Sequence, residues 1–187
     1  PDVFLSDSAT IELTWTQSNT PIADGTIVSF TSTRGTVVQD SNTTQDGKIT
    51  ATISSSNAGK ALVTVTGNDN GVTLSNQLEF EFIAADVATI DAQASPSSIA
   101  PNGDTSTISV IVKDVNGNLV KGKTIDFSLT GTSGGDILPA SAVTDSNGSA
   151  STVYTSNTVS SQNGISITAT VKEEPSISDT VTLIDIP

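Results

Sequence analysis

The chain contains no cysteine, no histidine and no methionine in 187 residues. The absence of cysteine excludes disulfide bonds and thiolate metal sites. With histidine absent too, the commonest general base and zinc ligand are missing, together with the thiol nucleophile. We therefore predict that the chain is not an enzyme, and we assign no catalytic residue. Glycosidases that work with carboxylates alone show that these absences disfavour catalysis without forbidding it.

Basic residues are scarce: seven Lys and Arg stand against twenty Asp and Glu, which gives a net charge of −13. Because no segment is basic, we expect no nucleic-acid partner and no contact with an anionic membrane. The acidic residues are spread over the whole chain, and a diffuse negative charge keeps a protein soluble and monomeric. No apolar run reaches the roughly 18 residues of a membrane span. No basic-then-apolar leader opens the sequence, so we expect any signal or anchor to lie outside it.

A long internal repeat is the most informative feature that is present. Residues 11–30 align without a gap on residues 108–127, so that Gly25 falls on Gly122 and the apolar positions coincide. A repeat of this period means that one folding unit is used twice. The length of the chain then favours two small domains over one large domain.

Alternation of apolar and polar residues with period two recurs along the chain. Helix-forming residues are scarce, whereas Thr, Ser, Val and Ile dominate and suit half-buried strands. The predicted strands are residues 10–15, 26–32, 48–53, 61–65 and 78–82, then 89–94, 107–112, 124–129, 149–154, 165–171 and 179–184. Short strands at regular spacing predict an all-β chain of two tandem antiparallel β-sandwiches, over residues 1–85 and 86–187.

Turn residues repeat together with the strands. Asp114-Val-Asn-Gly-Asn118 holds an Asn-Gly pair, which suits the positive-φ positions of a tight hairpin. Asp46-Gly47 and Asn147-Gly148 stand before matching strands of the two copies. The residues on which we expect the function to depend are therefore architectural: the inward apolar rows, and Gly25, Gly47, Gly122, Gly148 and Pro96.

The two copies differ in two places. The second opens with residues 89–104, a strand followed by a loop, whereas only Pro1–Ser6 precede the aligned part of the first. We predict that the leading strand of the first copy is missing or supplied differently, as in a piece cut within that strand. Residues 131–135 are an insertion where the first copy has Arg34-Gly35, and they predict a longer loop.

Acidic residues near the junction of the copies are candidate calcium ligands. The junction, residues 84–89, is short and lacks Gly or Ser runs, so we expect limited hinge motion. A structural calcium ion held by Asp86, Asp91 and Glu81 is the alternative to solvated carboxylates there. Asp114-Val-Asn-Gly-Asn118 resembles the start of a calcium loop but lacks the later bidentate Glu, so we interpret it as a turn. We assign no metal-binding or cofactor-binding residue.

Other candidates for a functional site have simpler interpretations. Glu79 and Glu81 alternate with apolar residues in the segment 78–82, which predicts a solvated row opposite an inward row that begins with Leu78. Trp15 falls on an apolar position of the second copy, so we predict core packing rather than a sugar-stacking platform. Tyr154 is interpreted in the same way.

The second copy resembles the bacterial immunoglobulin-like domain group 1, which is repeated in intimin-type and invasin-type outer-membrane adhesins. The resemblance rests on an ordered set of segments: residues 94–107, 112–122, 125–127, 144–150 and 167–170. The first copy matches from about Asp7 onward but departs at the turn, where it has Ser18-Asn-Thr-Pro21.

This resemblance implies immunoglobulin-like sandwiches that act as a spacer or stalk in a bacterial cell-surface or secreted protein. The chain would be an extracellular portion of an outer-membrane-anchored protein, with neighbouring immunoglobulin-like domains as partners. The full-length protein would contact a host-surface protein or glycan through a distal domain. Two alternatives remain: a module that binds the host protein or glycan directly, and an accessory domain of a secreted polysaccharide-active enzyme. A contiguous exposed apolar or aromatic patch would favour direct binding.

Overall fold

A computed structural model describes residues 1–130, 134–158 and 164–185. The chain divides into two compact units, Pro1–Ile83 and Ala84–Pro187. The repeat alignment placed the division after Ala85. Of the insertion predicted as a longer loop, residues 131–133 lie outside the described residues.

The first unit is built from nine strands: β1 (Asp2–Phe4), β2 (Ser8–Thr14), β3 (Thr16–Gln17), β4 (Thr20–Pro21), β5 (Val28–Ser32), β6 (Thr36–Gln39), β7 (Lys48–Ser54), β8 (Gly59–Asp69) and β9 (Val72–Ile83). One sheet has the order β1-β9-β8-β5 and the other the order β2-β7-β6, while β3 and β4 form a small hairpin. The apolar rows of the two sheets form one core that includes Trp15, Phe30, Ile53 and Phe82.

The described part of the second unit also has nine strands: β10 (Thr89–Ser95), β11 (Ser98–Ile99), β12 (Thr105–Lys113), β13 (Thr124–Thr130), β14 (Asp136–Leu138), β15 (Ser141–Val143), β16 (Ser149–Thr155), β17 (Ile165–Val171) and β18 (Ser178–Asp185). The sheets have the orders β10-β12-β16-β14 and β11-β18-β17-β13-β15. Alternation places Ile108, Val110 and Val112 inward, and all three are fully buried.

The predicted fold class is confirmed. Every segment predicted from period-two alternation overlaps an observed strand, because residues that alternate on a pleated strand bury one face against the opposite sheet. The strands that the sequence did not predict are short or lie at sheet edges, such as β6, β14 and β15. Two pairings are parallel, β1 with β9 and β11 with β18.

Pro1–Phe4 are folded, and no strand among the described residues of the first unit is equivalent to β10. The carbonyl oxygen of Pro1 accepts the N–H of Glu81 at 2.9 Å, and that of Ser97 accepts the N–H of Ile184 at 3.0 Å. These bonds make β1 the counterpart of β11, the short strand that follows β10. In the described residues β2 is therefore an edge strand, whereas the corresponding strand β12 lies inside its sheet.

The tight hairpin predicted at Asp114-Val-Asn-Gly-Asn118 is present, and the residues that flank it, Lys113 and Leu119, are bridged antiparallel. Of the Asn116-Gly117 pair, only Gly117 has positive φ, +82°. The N–H of Gly117 donates to the carbonyl oxygen of Asp114, which closes a three-residue loop. The first copy has the two-residue form instead: Ser18 and Asn19 both have positive φ, 50° and 64°.

The inward row predicted in β9 holds for Phe80 and Phe82, which are buried, but not for Leu78, which is 44% exposed. Leu78 is on the same face of β9 as Phe80 and Phe82, but it lines a surface groove between β9 and β2 instead of being covered by a strand. Trp15 and Tyr154 are buried in the cores of their units, as predicted. The indole of Trp15 lies against Gly67, where a Cβ would be 2.9 Å from the ring.

Candidate functional site

Both units contain a buried threonine that ties two loops together, here called the threonine clamp. In the first unit the clamp is Thr44, 3% exposed, whose hydroxyl donates to the carbonyl oxygen of Ala23 at 2.8 Å. The same hydroxyl accepts the N–H of Thr26 at 3.2 Å. The carbonyl oxygen of Thr44 accepts the N–H of Gly25 at 2.9 Å. Thr44 therefore satisfies three backbone polar groups of this turn: the carbonyl oxygen of Ala23 and the N–H groups of Gly25 and Thr26.

Thr144 forms the clamp of the second unit with the same three hydrogen bonds. It is 3% exposed, and its hydroxyl donates to the carbonyl oxygen of Val120 at 2.8 Å. The hydroxyl accepts the N–H of Lys123 at 3.0 Å, and the carbonyl oxygen accepts the N–H of Gly122 at 2.9 Å. The sequence did not single out either threonine, because Thr is abundant throughout the chain.

Gly47 and Gly148 come directly before the strand that follows each clamp, and each lies against the backbone of a neighbouring segment. Their φ values are +69° and +64°. A Cβ on Gly47 would lie 2.7 Å from the carbonyl oxygen of Trp15, and one on Gly148 would lie 2.6 Å from that of Val112. The N–H groups of Trp15 and Val112 donate to Gly47 and Gly148, at 2.8 Å in both units. The close approach explains why both turns contain glycine.

Gly25, Gly122 and Pro96 have different structural roles. Gly25 and Gly122 have φ of +84° and +82°, but a Cβ on either would meet no atom within 4 Å, so only the backbone conformation favours glycine there. Pro96 follows a cis peptide bond, and its carbonyl oxygen accepts the hydroxyl of Ser106 at 2.7 Å. Pro96 lies between β10 and β11, where the chain passes from one sheet to the other.

Asp114 uses its carboxylate to hold a turn. Its Oδ1 accepts the N–H groups of Asn116 and Asn118 at 2.8 and 2.7 Å, and its Oδ2 accepts Nδ2 of Asn118 at 2.9 Å. Burial tends to raise the pKa of Asp114, but the hydrogen bonds from Asn118, Asn116 and Gly117 outweigh it and lower the pKa below its ordinary 3.8.

Asp145 has the same role at the turn before β16. Its Oδ1 accepts the N–H groups of Asn147 and Ser149 at 2.8 and 3.0 Å. The bond from Ser149 is the main cause that lowers the pKa of Asp145 from 3.8, against an opposing effect of burial. Both carboxylates therefore serve their own turns, and neither is directed at a ligand.

The remaining acidic candidates do not form a site in the part of the chain that the structure describes. Glu79 is exposed and pairs with Lys60 at 3.3 Å on the outer face of the first unit. No group of three or more Asp or Glu side chains within residues 1–130, 134–158 and 164–185 could hold a metal ion. Glu81 belongs to the first unit and Asp86 and Asp91 to the second, so the calcium alternative that joins them stays a prediction.

One depression of the first unit is open and polar. It has a volume of about 560 Å³ and lies beside the threonine clamp. Its charged side chains are those of Glu12, Asp24, Asp40 and Lys48. Lys48 already pairs with Glu12 at 3.5 Å. The depression contains no residue pair with the asymmetry of a general acid and a general base.

Exposed aromatic side chains, which stack on sugars and anchor protein interfaces, are almost absent. All seven aromatic residues lie in described segments. Phe30, Phe80, Phe82, Phe127, Trp15 and Tyr154 are buried, and only Phe4 is exposed, at 46%. No helix among the described residues is long and apolar enough to cross a membrane.

The fold and these repeated elements define the class of protein. The chain consists of two immunoglobulin-like β-sandwiches in which the same buried turns are built twice. The model of the bacterial Ig-like domain (group 1) matches residues 89–184, and the chain belongs to this family. The resemblance noted in the sequence is thereby confirmed.

Comparison with known proteins gives adhesins as relatives. The inverse autotransporter adhesin YeeJ of Escherichia coli (strain K12) is 32% identical over 158 residues, which cover 80% of this chain and 7% of the relative. The chain therefore spans a small fraction of the length of the curated relative it matches. This relative is an adhesin and not an enzyme, which is consistent with the prediction that the chain is not an enzyme.

Two solved structures share the fold. InvD of Yersinia pseudotuberculosis has a TM-score of 0.71 at 21% identity, covering 97% of this chain and 54% of that one. Invasin, described as a bacterial integrin-binding protein, has a TM-score of 0.58 at 20% identity, covering 99% and 38%. At these identities the likeness shows the fold alone.

Proposed function

We propose that the chain is a spacer segment in the stalk of a bacterial cell-surface adhesin. Its two sandwiches add length between the cell and a distal domain, and that distal domain makes the contact with a host protein or glycan. The longer protein is anchored in the outer membrane, with this segment on the extracellular side. The neighbours of the segment are further immunoglobulin-like domains of the same chain.

The observation that carries this proposal is the duplication of the threonine clamp. Thr44 and Thr144 make the same hydrogen bonds in both units, and the hydroxyl-to-carbonyl bond is 2.8 Å long in each. Gly47 and Gly148 make the same close approach to a backbone carbonyl oxygen, that of Trp15 and that of Val112. The two units thus share the hydrogen bonds and close contacts that hold the loops of each sandwich in place. A sandwich with fixed loops is what a spacer needs.

The surface supports the same proposal. Six of the seven aromatic residues are buried, which leaves little material for a sugar platform or an aromatic interface anchor. Exposed aliphatic residues such as Val115, Leu138 and Ile27 come from different loops and strands. Scattered exposure of this kind is ordinary for a soluble domain.

A competition assay tests the proposal. Purified chain is added in increasing concentration to bacteria that display the full-length adhesin, and attachment to host cells is counted. A spacer does not occupy the receptor, so attachment should remain unchanged at every concentration. The distal domain, purified in the same way, is the positive control. Inhibition by the chain itself would show that it binds the host surface directly and would reject the spacer assignment.

A further inference from the structure

The outer edge of β5 has different partners from the outer edge of β13, its counterpart in the second unit. There, β13 pairs with β15, and next to this pairing the N–H of Phe127 donates to the carbonyl oxygen of Ala140 at 2.8 Å. The repeat places Phe30 of β5 on Phe127. In the first unit, all of whose residues are described, β5 is the last strand of its sheet and no strand pairs with its outer edge. The backbone groups on that edge therefore need other partners.

The side-chain amide of Gln39 supplies these partners, and we call this contact the glutamine clasp. Its Oε1 accepts the N–H of Phe30 at 3.2 Å, as the carbonyl oxygen of Ala140 accepts the equivalent N–H in the second unit. Its Nε2 donates to the carbonyl oxygens of Val28 and Ser41, at 3.1 and 3.2 Å. The amide thus offers an acceptor and a donor to alternate residues of β5, as a neighbouring antiparallel strand does.

Gln39 is held from two sides, because its backbone and its side chain bond different sheets. Its backbone belongs to β6 and pairs with Ala51 of β7, in the sheet β2-β7-β6. Its side chain is half-buried and bonds β5, in the sheet β1-β9-β8-β5. The amide oxygen and both amide hydrogens have partners, so the group makes the bonds that an amide readily makes. The clasp is therefore a fixed part of the sandwich and not a free surface side chain.

The strand β5 itself has none of the features that usually protect a sheet edge. Charged residues, proline and bulges are the common means of keeping an edge strand from pairing with another molecule. The sequence of β5, Val28-Ser-Phe-Thr-Ser32, contains no charge and no proline, and it pairs with β8 in unbroken register. Two copies of such a strand can pair antiparallel about a two-fold axis, because the same edge then faces itself. A second copy of the chain is therefore the partner that an open β5 edge would take.

We propose that the glutamine clasp is a guard against self-association, because it occupies the outer edge of β5 where a second copy of the chain would pair. The clasp bonds the N–H of Phe30 and the carbonyl oxygen of Val28. The N–H of Val28 donates to the carbonyl oxygen of Asn42 at 2.9 Å. An incoming strand therefore finds the first half of the edge already bonded. The second unit has no need of a clasp, because β15 covers β13. This guard does not depend on the spacer assignment, since it concerns the edge of one sheet.

Amide hydrogen exchange at Phe30 tests the clasp. Gln39→Ala should speed exchange of this N–H by at least about tenfold, at a concentration where the chain is monomeric. The N–H of Thr31 points to β8 and is the internal reference, which should not change. Gln77→Ala is the matched control, because the Gln77 amide bonds the hydroxyl of Thr64 on the face of the sheet and not at its edge. Unchanged exchange at Phe30, or an equal increase at Thr31, would overturn the proposal.

Sedimentation equilibrium over a range of concentrations tests the guard. The buffer contains about 0.15 M salt, which screens charge repulsion between copies beyond about 8 Å. Gln39→Ala should form a dimer as its concentration rises, and the N–H of Phe30 should regain protection in that dimer. The natural chain and Gln77→Ala should stay monomeric. A Gln39→Ala chain that is monomeric at every concentration, or a dimer that leaves Phe30 unprotected, would overturn the proposal.

Two further substitutions keep the test decisive if Gln39→Ala does not fold. Gln39→Asn retains the amide on a shorter side chain, so it should lose its bonds to β5 and dimerise. Gln39→Glu retains an oxygen acceptor at the same reach, and a carboxylate accepts an N–H strongly. The Glu variant should therefore keep Phe30 protected and stay monomeric. Equal exchange at Phe30 in the Asn and Glu variants would overturn the proposal, because it would show that the acceptor oxygen does not close the edge.

Discussion

Gly47 and Trp15 contact each other through two backbone groups. The N–H of Trp15 donates to the carbonyl oxygen of Gly47 at 2.8 Å, while a Cβ on Gly47 would lie 2.7 Å from the carbonyl oxygen of Trp15. Gly148 and Val112 repeat this relationship in the second unit. The turn glycine is thus required for contact with the strand as well as for its own positive φ.

The substitution Gly47→Ala should therefore cost more than Gly25→Ala. Both positions have positive φ, so each substitution costs about 1–2 kcal/mol of stability from the backbone alone. Only at Gly47 does the new methyl group also displace the carbonyl oxygen of Trp15. Urea unfolding followed by fluorescence reports the first unit, because Trp15 is the only tryptophan. Equal losses at the two positions would refute the steric role of Gly47.

Removing the hydroxyl of the threonine clamp should destabilise the second unit. Thr144→Val keeps the shape of the side chain but leaves the carbonyl oxygen of Val120 and the N–H of Lys123 without their partner. We expect a loss of about 1–3 kcal/mol. Thr144→Ser retains the hydroxyl and is the control, which should lose less. Urea unfolding followed by circular dichroism measures both, and a Val variant as stable as the natural chain would contradict the role of the clamp.

The turn carboxylate of Asp145 should make the second unit acid-sensitive. Its pKa in the folded state is lowered from 3.8 by the N–H of Ser149. The stabilisation is therefore fully present above pH 3.8 and is lost as the pH falls through the lower folded value. Asp145→Asn keeps an oxygen acceptor without the charge. The stability difference between the two proteins should shrink as the pH is lowered below 3.8, and a constant difference would contradict the assignment.

The two faces of β9 should respond differently to substitution. Glu79 and its partner Lys60 are mostly exposed, with side chains 61% and 70% accessible, so Glu79→Gln should change stability by less than about 1 kcal/mol. Phe80 is 4% exposed in the core, and Phe80→Ala should cost about 3–5 kcal/mol. Both are measured by Trp15 fluorescence in urea. A large loss for Glu79→Gln would show that this residue is more than part of a solvated row.

Much of the fold follows from the sequence because strand alternation is local. The rows in β7 and β12 are visible as every second residue, and the buried positions match them. Leu78 has the same phase and was predicted inward, yet it is exposed. Its burial depends on a covering strand, which is a property of the sheet order rather than of the segment.

The turns and the clamp show where sequence reasoning reaches its limit. Asn116-Gly117 predicts a tight hairpin but not the length of its loop, which is three residues because the carboxylate of Asp114 bonds the N–H groups of Asn116 and Asn118. Thr44 and Thr144 are two among many threonines. Their burial depends on contact between two loops that lie far apart in sequence. In the first unit, Ala23 and Thr44 are 21 residues apart.

An exchange of segments tests the spacer account most directly. In the full-length adhesin, residues 1–187 are replaced by two unrelated β-sandwich domains of the same total length, and a deletion of the segment serves as reference. Attachment of the bacteria to host cells is measured at equal surface display. The account predicts that the exchange preserves attachment while the deletion weakens it, because only length and fold are required. Attachment that falls as far with the exchange as with the deletion would contradict it.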